Sequence, residues 1–71
     1  MLVDAREMLY LRKNLPYGMV KVLAKNIGMD YLKARNEFMT LKEEYPDDLV
    51  TEARRLLKET TGLEYTETAE A

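Results

Sequence analysis

The sequence predicts an all-α fold, a bundle of about four helices, and three observations predict it. Apolar residues recur at helical spacing in four separate stretches. The breaks between them carry Pro16, Gly18, Gly28, Pro46 and Gly62, residues that interrupt or end helices. Acidic cap residues, Asp4, Asp30 and the pair Asp47-Asp48, stand where three of those stretches begin. With 71 residues the chain makes one small domain. A domain of this size buries only about 60% of the surface its unfolded chain exposes.

The first helix is predicted over Asp4 to Lys13. Asp4 with Glu7 three residues on has capping-box spacing, and Ala5, Met8, Leu9 and Leu11 supply an apolar stripe. The second is predicted from Pro16 or Tyr17 to Asn26, because proline suits a first helical turn. Its face is Val20, Leu23, Ala24 and Ile27, and Gly28 ends it. The third begins after the N-cap Asp30. Ala34, Phe38, Leu41 and Tyr45 carry its period on to about Glu44, and Pro46 stops it. The fourth opens on Asp47 and Asp48, acids at the positive end of the helix dipole. Leu49, Val50, Ala53, Leu56 and Leu57 give it a broad apolar face, and Gly62 closes it. Residues 1–62 thus form the helical domain, and 63–71 read as an acidic, flexible tail with Leu63 and Tyr65 as its only docking candidates. Met8, Met19, Met29 and Met39 read as gap-fillers. Tyr10, Tyr17 and Tyr45 are expected half-buried with a wet hydroxyl.

Composition narrows the function classes. Cysteine, histidine, serine, glutamine and tryptophan are all absent. The usual nucleophile–base pairs therefore cannot be assembled, and neither can thiolate or imidazole metal sites. The expectation is a non-enzyme with no cofactor and no metal. Glu43-Glu44 and Asp47-Asp48 flank Pro46 and read as helix-terminal charge rather than a cation site. No apolar run reaches signal-peptide or membrane-span length, so a cytoplasmic protein with no membrane partner is expected.

Net charge is −2, but it is unevenly distributed. Residues 1–42 carry eight basic against four acidic side chains, and residues 43–71 carry three basic against nine acidic. A positive N-terminal part and a negative C-terminal part follow, a pattern that admits an anionic partner despite the overall sign.

The stretch from Val22 to Asn36 places two short helices on either side of Gly28-Met29-Asp30. So tight a turn makes the helices cross steeply and projects the start of the later one outward. A protruding helix of that diameter fits the major groove of B-form DNA. Leu23-Ala24, Gly28 and Ala34, in the pattern Leu-Ala-x-x-x-Gly-x-x-x-x-x-Ala, resemble the helix-turn-helix of phage-repressor-like and lac-repressor-like domains. Leu15-Pro16-Tyr17-Gly18 is similar to a Leu-Pro-x-Gly lead-in of short stand-alone bacterial and phage proteins of that type. The resemblance covers about residues 12–59. It departs from the family at Ala34, where a branched aliphatic is usual, and at Glu37, where an apolar residue is usual.

What the resemblance implies is sequence-specific binding to double-stranded DNA by a bacterial or phage-encoded, nucleoid-associated transcriptional regulator, repressor-like and acting as a homodimer. Tyr31, Leu32, Arg35 and Asn36 take the positions that read bases. Arg35 pairs with guanine, Asn36 with adenine, and Leu32 touches a thymine methyl. Lys13, Lys21, Lys25, Lys33 and Lys42 take flanking phosphates, together with backbone N–H groups at Tyr17, Gly18 and Met19. The acidic C-terminal half and Glu37 motivate an alternative, a protein-interaction module on the same scaffold with little or no DNA affinity.

Overall fold

The computed structural model describes residues 1–66, and in it the chain forms four helices. They are α1 (Ala5–Asn14), α2 (Met19–Ile27), α3 (Tyr31–Met39) and α4 (Asp47–Thr61). Helix α4 is the longest and is packed by both α1 and α2, while α3 is held mainly by α2. The all-α expectation holds.

Each helix start and stop has a local cause. Asp4 caps α1, its carboxylate accepting from the Arg6 N–H at 2.8 Å. Asp30 caps α3 in the same way, accepting from the N–H groups of Leu32 and Lys33 at 3.1 and 3.4 Å. These bonds satisfy donors that have no partner within the helix. Helix α2 starts two to three residues later than the sequence predicts. Gly18 sits at φ 87°, a left-handed conformation no helix interior admits, and the Met19 N–H closes a turn onto the Pro16 carbonyl at 3.1 Å. Gly28, at φ 70°, ends α2, and its own N–H together with that of Met29 returns to the last α2 carbonyls.

Helix α3 ends five residues earlier than its apolar period predicts. Thr40 is extended, and Leu41, assigned to the buried face by the period, is half exposed. Tyr45 is the cause. Its ring is buried, and its hydroxyl donates to the Thr40 carbonyl at 2.9 Å while accepting from the Lys42 N–H at 2.9 Å. That one side chain satisfies a carbonyl a longer helix would have bonded internally. Beyond it the chain runs extended beside the N-terminus, with Val3 N–H donating to Glu43 O and Tyr45 N–H to Met1 O around an antiparallel Leu2–Glu44 bridge.

The core is continuous through all four helices. It contains Met8 and Leu11 of α1, Leu23 and Ala24 of α2, Ala34 and Phe38 of α3, and the predicted α4 face of Leu49, Val50, Ala53, Leu56 and Leu57, with Val3, Leu15 and Tyr45 between elements. Alanines, Ala24 and Ala34, occupy buried positions on both α2 and α3. Ala5 and Leu9, assigned to the α1 stripe, are exposed instead. Met8 is fully enclosed, whereas Met39 is half exposed. Tyr17 stands fully exposed rather than half-buried, because the turn at Pro16–Gly18 lifts it off the surface.

Glu7 does not complete a capping box. It is largely buried and accepts from Arg54 on α4 through two nitrogens, Nε at 2.6 Å and Nη2 at 2.8 Å. This two-pronged bond joins α1 to α4 and holds the Arg54 guanidinium above its ordinary value. Past Gly62, Tyr65 lies half-buried with its ring 5.4 Å from that of Tyr10. Leu63 is more exposed, and of the tail, residues 67–71 lie outside the described residues.

Candidate nucleic-acid interface

The turn Gly28–Asp30 sets the start of α3 at the surface. Ala34 and Phe38 face inward, which turns Tyr31, Leu32, Arg35 and Asn36 outward, and all four are exposed. Leu32 is 64% exposed. Neither Arg35 nor Asn36 is drawn into the core or tied to a carboxylate among the described residues.

The basic side chains divide cleanly by position. Among the described residues, Arg6 is held by Asp4, Lys42 by Glu37, Arg54 by Glu7, Arg55 by Glu52 and Glu59, and Lys58 by Glu64. Arg12, Lys13, Lys21, Lys25, Lys33 and Arg35 have no acidic partner there. Among the described residues, every cation left without a counter-charge therefore falls between residues 12 and 35, on the end of α1, on α2 and on α3. Asp30 and Glu37 are the two acids of the α3 region, and both are engaged. Asp30 is bonded at the helix start, and Glu37 is paired with Lys42.

The predicted phosphate-contacting residues split on the same geometry. Lys13, Lys21, Lys25 and Lys33 are exposed. The Lys21 ammonium lies 6.0 Å from the centre of the Tyr31 ring, close enough for a weak cation–π attraction that links α2 to the exposed edge of α3. Lys42 is not a free cation, since it is spent on Glu37 and also lies 5.4 Å from the centre of the Tyr45 ring. The Met19 N–H is committed to the Pro16 carbonyl, so of the three backbone positions proposed for a phosphate, Tyr17 and Gly18 remain.

One side chain at this surface carried no signal in the sequence beyond its charge. Arg12, in the last turn of α1, crosses to α3 and donates through Nε to the Phe38 carbonyl at 3.0 Å. Its Nη2 is shut off from solvent and has no acceptor among the described residues. Arg12 and Arg35 line a groove of about 500 Å³ between the end of α1, the start of α2 and α3. Residues 26 positions apart meet here, a contact that no local pattern announces.

No known protein family, curated protein or solved structure matches the chain.

Proposed function

We propose that the chain binds double-stranded DNA in a sequence-specific manner through α2 and α3 acting as a helix-turn-helix, and that it serves as a cytoplasmic transcriptional regulator on the nucleoid. The observation that carries this reading is the concentration, around an exposed helix, of cations with no acidic partner among the described residues, while the other lysines and arginines are each paired with a carboxylate. A duplex presents a closely spaced row of phosphates, and neutralising them releases condensed counterions. Lys21, Lys25 and Lys33 fit phosphate contact as flexible point charges. Arg35 and Asn36 fit base edges, each as a two-pronged partner of one purine. Helix α3 alone reads few base pairs, so two copies on a two-fold symmetric site supply the remaining affinity.

A polarisation titration of the protein against a labelled duplex, repeated at several salt concentrations, tests the reading. The expected slope of log affinity on log salt is steeper than about −3, since each phosphate contact adds roughly 0.9. Lys21→Ala weakens all duplexes alike and makes the slope shallower by about 2, one contact being lost from each of the two copies. A slope near zero counts against DNA altogether.

The exposed apolar side chains Tyr17, Leu32, Met39 and Leu41 favour a second reading, a protein-interaction module on the same scaffold. Affinity capture that returns one stoichiometric protein and no nucleic acid favours it over the first.

A further inference from the structure

The groove between the end of α1, the start of α2 and α3 has features a duplex does not use. It is concave, about 500 Å³ in volume, and within the range of pockets that enclose small molecules. Leu15, Val20 and Phe38 contribute apolar wall, and Tyr31 lines it from the start of α3. Its charged lining consists of Arg12, Lys21 and Arg35, with no carboxylate among the lining residues. A stiff duplex crossing this surface sets phosphates against the rim. It has no apolar body to lay along the wall.

Arg12 is the second observation. Its guanidinium makes one side-chain hydrogen bond, to the Phe38 carbonyl, while Nη2 is enclosed and unpartnered among the described residues. Nη2 is closed to a ligand as it is to water, so an oxyanion in the groove meets the guanidinium at Nη1, which has no partner among the described residues, and takes a charge-assisted bond there. Three cations in one groove favour a doubly charged headgroup over a singly charged one.

We infer that this groove is a binding site for a small aromatic phosphate monoester, the phosphate held by Arg12 and Arg35 and the ring laid against the apolar wall beside Tyr31. Lys21, Tyr31 and Arg35 belong both to the groove and to the surface assigned above to DNA. On that reading, an occupied groove and a bound duplex compete, and the ligand acts as an effector that releases DNA.

Amide-resolved NMR titration of the full chain tests the site, with phenyl phosphate, inorganic phosphate and benzyl alcohol as separate probes. Phenyl phosphate is expected to saturate one site, with shifts centred on Leu15, Gly18, Val20 and Phe38. It binds about tenfold or more tighter than either of the other two probes, which carry only one half of its chemistry. Arg35→Met, at an exposed position, removes about tenfold of that affinity with the helical spectrum unchanged, and Arg12→Met does the same. The inference is overturned if inorganic phosphate binds as tightly as phenyl phosphate, if Arg35→Met leaves the affinity unaltered, or if the shifts fall elsewhere. A competition arm separates the two readings. Phenyl phosphate that binds a protein with no affinity for duplex leaves the site standing and removes the DNA function. Duplex binding that phenyl phosphate does not displace keeps the function and sinks the effector role.

Discussion

Helix α4 buries five apolar side chains over fifteen residues and ties Arg54, Arg55 and Lys58 to carboxylates, whereas α3 buries only Ala34 and Phe38 over nine residues and leaves Lys33 and Arg35 without an acidic partner among the described residues. The two helices divide the work of a very small domain. Apolar burial on α4 supplies stability at about 25 cal/mol per Å² removed from water, and its ion pairs cancel charge rather than add much free energy. Helix α3 contributes little burial and keeps its surface chemistry unspent. The comparison teaches that an acidic protein can still cluster unpaired cations on one helix, provided its carboxylates pair with cations elsewhere or lie away from that helix.

The largest effect that could break this division is a core truncation on α4. Leu49→Ala removes a fully buried side chain and is expected to cost about 2–5 kcal/mol, read by urea denaturation. Leu32→Ala, on the outward side of α3, is expected to fall within about 0.5 kcal/mol of the parent. Equal losses at the two positions would mean that α3 is as much a part of the stabilising scaffold as α4.

Glu7→Gln follows in size. It leaves Arg54 facing a neutral amide at a site where the acid is largely buried, and the expected cost is about 1.5–3 kcal/mol in the same denaturation experiment. Glu59→Gln, on the exposed side of α4, is expected to leave stability nearly unchanged. The contrast measures how far that single pair joins α1 to α4.

The division between α3 and α4 was only partly legible in the sequence. The α4 face was readable because five apolar residues repeat at helical spacing inside a segment bounded by Pro46 and Gly62, and local period and tertiary burial agree there. The end of α3 was not, because Leu41 and Tyr45 keep the period while Tyr45 bonds the Thr40 carbonyl and withdraws the chain from the helix. Glu7 has the spacing of a capping partner, yet its charge is claimed by a residue 47 positions away. The exposure of Arg35 and Asn36 followed from the inward spacing of Ala34 and Phe38. The absence of carboxylates beside Arg35 could not be foreseen, since it depends on where Glu52, Glu59 and Glu64 find partners. Arg12 was invisible as a site residue for the same reason, its role arising only where α1 meets the end of α3.

Binding sharpens the comparison more than stability does. Arg35→Ala is expected to lose about 1–3 kcal/mol of discrimination between the preferred duplex and one changed at a single base pair. Arg55→Ala, which removes a cation already matched by Glu52 and Glu59, is expected to leave both affinities unchanged. Polarisation titrations on the paired duplexes read both variants, and a loss at Arg55 equal to that at Arg35 would erase the distinction between paired and unpaired cations.

The smallest effect lies in the acid limb of stability. The Arg55 guanidinium holds the Glu52 carboxyl below its ordinary value of 4.5, and hydrogen bonds from Arg6 hold Asp4 below 3.8. A carboxyl whose folded value is depressed binds its proton more readily in the unfolded chain. Its contribution is therefore complete above the ordinary value and is lost as pH falls through the depressed one. Both groups are solvated, so screening keeps their contributions small. Melting temperature is accordingly expected to stay level between about pH 7 and pH 5.5 and to decline below about pH 4.5. Glu52→Gln and Asp4→Asn each make that decline shallower. Lys33→Met leaves its shape unaltered, because Lys33 has no carboxylate partner among the described residues whose protonation would release it. If Lys33→Met flattened the acid limb as much as Glu52→Gln does, the cations of α3 would be engaged with carboxylates in solution, and the contrast with α4 would not hold.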